Sequence, residues 1–152
     1  METAILEYQS EVEKVKKELP QLARDILIRN VNKVLKIIKE DQLSEGKDSS
    51  GKVVGRYSRA TEQFASDPYN TPRQPKEAGQ PYNFEWTGGL FDNMHLFFED
   101  MKSYSIFSAD EKALFLQKVY GDIFTMTEAN NDRVNNEIIL PELIEYMVKR
   151  LI

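Results

Sequence analysis

The 152-residue sequence predicts an α+β chain: long N-terminal helices packed on a small antiparallel sheet, an extended loop or arm, and C-terminal helices. Three observations carry this. Apolar residues recur three and four apart over residues 5–38, the spacing of a helical stripe. Aromatics crowd the stretch 82–107, and aromatic side chains favour strands. Helical spacing returns after Ser108. With 41% hydrophobic residues the chain has enough apolar material for one core, so it reads as a single domain, 1–152. Within it 1–40 form the first helices, 41–108 the hairpins and a proline-rich arm, and 109–152 the last helices.

The stripe Ile5, Tyr8, Val12, Val15, Leu19, Leu22 and Ile26 forms a heptad-like seam. It then shifts phase to Leu27, Val31, Val34, Leu35 and Ile38. A bend is expected near Pro20, whose missing donor suits the first turn of a helix, giving two helices over 3–19 and 20–39. The seam either covers the chain's own sheet or pairs with another subunit, and both alternatives bury the same residues.

Between 41 and 80 the composition turns to Gly, Ser, Pro, Asn and charge. Lys47-Asp48-Ser49-Ser50-Gly51 is turn chemistry, with Gly51 placed for positive φ and Asp48 for an Asx turn, and its flanks are expected to pair as a short hairpin. Pro68, Pro72 and Pro75 remove donors at close intervals, so 66–80 should be a long arm or loop.

The segment Glu85-Trp86-Thr87-Gly88-Gly89-Leu90-Phe91-Asp92-Asn93-Met94 reads as a turn feeding an edge strand. Leu96, Phe98 and Asp100 would share one face, His95, Phe97 and Glu99 the other. Met101-Lys102-Ser103 would turn into a return strand, 104–107. Ser108-Ala109-Asp110-Glu111 has the form of a capping box opening a helix over 110–120 that ends at Gly121. A short segment, 122–126, leads to a last helix from about residue 131 to 151, with a kink expected at Pro141.

Composition excludes several functions. A net charge of -5 gives no footprint for coating nucleic acid. Without cysteine there are no disulfides, thiolate metal sites or cysteine nucleophiles. The acidic start lacks the basic and apolar regions of a signal peptide, and no apolar run approaches a membrane span, so a chain made in the cytoplasm with no membrane partner is expected.

His95 is the single histidine, which rules out a two-histidine metal site; it is expected to be a half-buried packing residue. No Gly-x-Ser-x-Gly elbow, calcium loop or phosphate-binding loop is present. The acidic pairs are sequence neighbours, which a strand would turn to opposite faces. The expectation is therefore no enzyme, with no catalytic, cofactor-binding or metal-ligating residue.

Residues 42–58 resemble the "QL-x-x-G-x-D-x-x-G-x-x-x-x-x-Y-S" opening of small virion proteins from tailed phages of Bacteroidetes. Tyr120-Gly121-Asp122-Ile123-Phe124-Thr125-Met126-Thr127 is similar to the "Y-G-x-x-I-F-x-L-T" run of those proteins, crAss-like phages included, with one residue fewer before Ile123 and Met126 in place of leucine. The stretch 82–94 forms the third part of the match. Thr87-Gly88-Gly89-Leu90-Phe91-Asp92-Asn93-Met94 is also similar to the "D-T-G-x-L-x-x-S-I" signature of tail-completion and neck proteins.

The resemblance implies a structural component of the head-tail junction, a neck ring or tail-completion protein, located in the virion and assembled in the host bacterial cytoplasm. Its implied partners are the portal, adjacent neck or tail proteins, and itself in a ring of six or twelve copies, with DNA contact at most non-specific in a lumen. Candidate interface residues are Pro68, Tyr69, Pro72 and Pro75 on the arm, and Trp86, Thr87, Gly88, Gly89, Leu90, Phe91 and Phe97. The alternative is a small non-virion adaptor or regulatory protein that binds one partner through its amphipathic helices.

Overall fold

The computed structural model describes residues 1–101 and 103–152. In chain order the elements are α1 (Glu2–Arg29), α2 (Val31–Asp41), a 3-10 turn (Leu43–Glu45), α3 (Arg59–Ala65), α4 (Gly89–Asp92), β1 (Met94–Phe98), β2 (Tyr104–Ser108), α5 (Lys112–Tyr120), α6 (Glu128–Arg133), a π-helical stretch (Val134–Ile139) and α7 (Leu140–Leu151). The chain is α+β as expected, its sheet among the described residues a two-stranded antiparallel hairpin.

The helix boundary expected at Pro20 lies instead at Asn30, because α1 runs on through Pro20. Proline removes one rung of the ladder, at about 3 kcal/mol, and the burial of Val15, Ile26 and Leu27 on either side outweighs that. At Asn30 the side-chain amide donates to the Ile26 carbonyl at 2.8 Å, and the backbone N–H is shared between Ile26 and Leu27. That is where the apolar stripe slips phase.

The seam does not bury as a unit, and it lies mainly against the C-terminal helices. Arg29 meets Glu142 while Arg150 meets Glu11, so α1 and α7 run antiparallel. Helix α7 ends opposite Glu11, which leaves the first turns of α1 beyond it, with Ile5, Leu6 and Tyr8 exposed. Helix α2 lies between two apolar clusters. Leu35 and Ile38 join Leu43, Leu90, Phe91, Met94, Ile106 and Phe124; Val34 and Ile37 join Ile26, Leu27, Val134 and Ile138.

The hairpin forms, with Met94 opposite Ser108, Leu96 opposite Ile106 and Phe98 opposite Tyr104, but β1 stops at Phe98, so Glu99 and Asp100 fall outside the strand faces expected for them. Ile106 is buried and Phe97 and Phe107 are exposed. His95 is exposed too, rather than half-buried, because its strand face turns to solvent, where its ring lies 5.5 Å from that of Phe107. Of the expected turn, Lys102 lies outside the described residues.

Four further expectations are corrected. The turn at Gly88, φ +86, feeds the short helix α4 before it reaches the strand. Ser108 does not cap a helix: it ends β2, donates to the Leu90 carbonyl at 2.7 Å and accepts from Asp110, while Asp110 Oδ1 receives the Lys112 N–H at 2.8 Å. Helix α5 therefore starts two residues later than expected, and it ends at Gly121 as anticipated. Residues 59–65, in the stretch expected to hold only hairpins and the arm, form α3, because the Ser58 hydroxyl accepts the Thr61 N–H.

The last helix begins at Glu128, capped by Thr127, and in place of a kink it widens to π geometry just before Pro141. The wider turn absorbs the donor that proline lacks.

The Asp48 turn forms as read: its Oδ1 accepts from Ser50 N, Ser50 Oγ and Lys52 N, and Gly51 has φ +84. The hydroxyl of Ser50 holds the Asp48 carboxyl below the usual range. The flanks meet in a single antiparallel bridge, Lys47 to Val53.

One buried polar residue ties the end of α2 to the 123–130 segment. Gln42, fully buried, donates from Nε2 to the carbonyls of Ile123 (3.1 Å) and Thr125 (2.8 Å), and its Oε1 accepts from Thr127 N (2.9 Å) and Asn130 Nδ2 (3.4 Å). The hydrogen-bonding capacity of this amide is used in full.

Candidate functional site

The proline-rich stretch is where structure and expectation differ most. Residues 73–80 form no free arm; they fold down on the body. Arg73 N–H donates to the Trp86 carbonyl at 2.6 Å and its guanidinium pairs with Asp92 at 2.9 Å. Gly79 N–H reaches the Tyr57 carbonyl, and Tyr57 N–H the Gln80 carbonyl, each at 2.9 Å. Asn83 Nδ2 bonds the Pro75 carbonyl. Proline withholds its own N–H, but the residues between prolines still donate, and those donors find the 55–58 and 83–86 backbone. Residues 67–71 project as a short tip.

This docking places Lys76 in the wall of an open cavity of about 300 Å³. Its wall is aromatic: Tyr57 and Tyr82 rings lie 4.9 Å apart, Tyr82 and Tyr120 5.7 Å, Phe84 and Tyr120 5.9 Å. Trp86 closes another side, its ring 5.7 Å from Phe64. Phe84 holds φ +55, a left-handed conformation that costs a bulky residue about 1 to 3 kcal/mol. Such strain persists where the surroundings impose it, and here it turns the Phe84 ring onto Tyr120.

Lys76 enters this wall only 4% exposed. Its Nζ donates to the Glu85 carbonyl at 2.9 Å and to Asn83 Oδ1, and it lies 5.2 Å from the Tyr57 ring centre and 5.8 Å from that of Trp86. Burial pushes the ammonium down to about 8, while the Glu85 carboxylate pulls the other way. Thr87, Asp110 and Lys112 add polar groups to the lining. Burial also raises the phenols of Tyr57 and Tyr120.

A pH dependence follows. Between about 8 and the free-lysine value near 10.4 the unfolded chain holds a proton that folded Lys76 has released, so stability rises with pH through that interval. Above about 10 the tyrosines act oppositely, because the folded phenols keep protons that the unfolded chain loses. Urea midpoints measured across this range should therefore rise and then fall. In Lys76→Met the rise should vanish and the fall should remain.

No known family model, curated protein or solved structure matches this chain.

The structure gathers some of the expected interface residues and disperses others. Trp86, Thr87, Gly88 and Leu90 line the cavity. Leu90 and Phe91, both 5% exposed, belong to the core, since α4 turns them inward onto Leu43, Met94 and Ile106; of the two, only Leu90 also borders the cavity. Gly88 is buried and Gly89 half-buried, because Arg73 packs on one and Asp110 on the other. Pro68, Pro75 and Tyr69 are exposed and Pro72 is half-buried. Phe97 stands on the outer face of the hairpin, away from these residues in sequence and in pairing.

Sequence reasoning missed Lys76, Tyr57 and Tyr120 as members of one site. Lys76 sits between Pro75 and Glu77 in a charged, proline-rich run, the usual signature of solvated chain. No local pattern reveals that Tyr57 and Tyr120, 63 positions apart, share a wall with it.

A second hollow, a groove of about 980 Å³, runs between α1, the hairpin and the 124–131 segment; Arg24 stands over the Phe98 ring in it at 5.0 Å. Among the described residues, no three His, Asp or Glu side chains come together as a metal site, and no helix is long and apolar enough to cross a membrane.

Proposed function

We propose that this chain is a structural assembly protein that works as repeated copies in a ring, with the head-tail junction of a tailed phage as the setting its sequence resemblance implies. The observation that carries the reading is the outer face of α5: Leu114, Phe115 and Val119 are 78%, 65% and 53% exposed on a helix of nine residues. A face this apolar is a contact surface awaiting a partner. The first turns of α1 and the outer face of α7, with Ile144 and Val148, add two more such surfaces at other places on the chain.

Apolar patches at separate places, differing in composition, favour heterologous contacts over one self-complementary patch. Heterologous contacts close into rings when the rotation allows, and six- or twelve-fold closure is the expectation for a neck protein. The two-stranded sheet supplies further pairing capacity at its outer edges. The portal and neighbouring neck or tail proteins would then take the faces that the ring leaves open.

Sedimentation of the purified full chain tests this, and a closed oligomer is expected. Phe115→Lys should shift it toward monomer with a melting temperature close to wild type, because an exposed position carries little folding stability. Mass spectrometry of purified phage particles should detect the chain. A monomer at all concentrations together with absence from particles would refute the reading; a stable dimer with no higher assembly would favour the single-partner adaptor.

A further inference from the structure

We propose that Tyr69 of one copy is the plug for the aromatic cavity of the next copy. This rests on the ring reading and names the contact that joins its subunits.

Tyr69 is 95% exposed, so it touches almost nothing of its own chain. A tyrosine left bare in this way is not loose, because the tip that presents it is built. Asp67 Oδ1 accepts the Tyr69 N–H at 2.9 Å, Asn70 N–H donates to the Asp67 carbonyl at 2.9 Å, and Pro68 and Pro72 restrict the backbone on either side. Tyrosine has two side-chain torsions to freeze, and it is among the residues that most often dominate an interface. A rigid turn holding one naked aromatic is an anchor.

The cavity has the shape and chemistry to receive it. At about 300 Å³ it lies at the small end of ligand sites, sufficient for one ring. Tyr57, Tyr82 and Trp86 offer ring faces. Lys76 spends two of its three N–H groups on Asn83 and Glu85, which leaves one for a phenol oxygen. Asp110 Oδ1 is taken by the Lys112 N–H, and its second oxygen can accept the phenol hydrogen. The lining balances Lys76 and Lys112 against Glu85 and Asp110, and of these the exposed Lys112 can meet the tip's Asp67 carboxylate. Because plug and socket are different groups, the contact can pass head-to-tail from copy to copy, as the ring reading requires.

The test uses full-length chains that lack one half of the contact. Tyr69→Ala keeps the socket; Thr61→Phe blocks it and keeps the plug, with Thr87→Phe as a second blocking variant should the first fail to fold. Each variant alone should stay monomeric under conditions where the wild type assembles, with affinity reduced at least about thirty-fold. Mixed, they should form a 1:1 dimer and nothing larger, since one plug and one open socket remain. Trp86, the sole tryptophan, lines the socket and reports filling: its emission should shift as wild type assembles and in the mixture, and stay constant in Tyr69→Ala alone.

If Tyr69→Ala assembles like wild type, or if the mixture stays monomeric, the plug is refuted while the ring stands. If wild type itself never assembles, the ring falls and the plug with it. If p-cresol shifts Trp86 emission while Tyr69→Ala leaves assembly unchanged, the cavity serves a free phenolic ligand and the proposal is overturned.

Discussion

Replacing Gln42 by leucine should destabilise the fold by about 3 to 4 kcal/mol although the two side chains are close in size. The cost comes from what the leucine strands. The carbonyls of Ile123 and Thr125 lose the donors that reach them at 3.1 and 2.8 Å, and the Thr127 N–H loses its acceptor at 2.9 Å, all beside a side chain with no solvent exposure. A buried polar group without a partner costs about 1 to 3 kcal/mol, and here several lose theirs together. Urea denaturation should show the lower midpoint at an unchanged slope.

Gln42→Glu separates hydrogen bonding from shape. At neutral pH a carboxylate would face two carbonyl oxygens, so this variant should be less stable than Gln42→Leu. Acidification should restore part of the loss: burial raises the carboxyl's folded pKa, the folded state then binds the extra proton, and the protonated group regains one O–H donor. A loss below about 1 kcal/mol in Gln42→Leu would mean that the segment 123–130 is held by its apolar contacts alone.

Gly46→Ala should cost about 3 kcal/mol, of which the greater part is collision. Gly46 has φ +69, and a Cβ there would stand 2.5 Å from the Tyr82 carbonyl oxygen, 3.0 Å from Tyr82 N and 3.1 Å from Pro81 Cβ. Two of these atoms are backbone, so relief requires moving the chain that carries Tyr82, a wall of the aromatic cavity. Gly51→Ala is the control: φ is +84, and the nearest atom is Thr127 Cγ2 at 3.9 Å. Its cost should be the left-handed penalty, about 1 to 2 kcal/mol. Equal losses in the two variants would show that the 81–82 segment yields freely.

These two residues show how the sequence could be informative without being sufficient. Gln42, Leu43, Gly46, Asp48 and Gly51 stand out as a spaced group, and so do Ile123 and Phe124, yet nothing in either segment states that they meet. The structure joins them, with Gln42 bonded to the backbone of 123–127 and Leu43 packed in one cluster with Ile123 and Phe124. The reading of Asp48 and Gly51 succeeded because an Asx turn depends on residues within four positions of one another. The reading of the capping box failed for a tertiary reason: Ser108 had a stronger claim on it from the Leu90 carbonyl, 18 positions away.

The proline-rich segment divides in the same way. That 66–80 would be irregular follows from donor loss and needs no fold. That 73–80 would lie against the body and bury Lys76 in the wall of an open cavity follows from hydrogen bonds to Tyr57, Asn83 and Trp86, which the segment itself does not contain. The tip with Tyr69 stays outside because its hydrogen bonds close locally, within 62–71.

Local chemistry alone thus determined the helical stripes, the alternation of faces along the first strand, the Asp48 turn, the stop at Gly121 and the irregularity of the prolines, since each depends on periodicity, donors or φ within a few residues. Tertiary structure decided where α1 ends, that its first turns stay uncovered, that Leu90 and Phe91 point inward, and that Lys76 and five aromatics converge on one cavity. Those outcomes are competitions between distant surfaces for the same burial and the same hydrogen bonds, and a short stretch of sequence carries only one side of each.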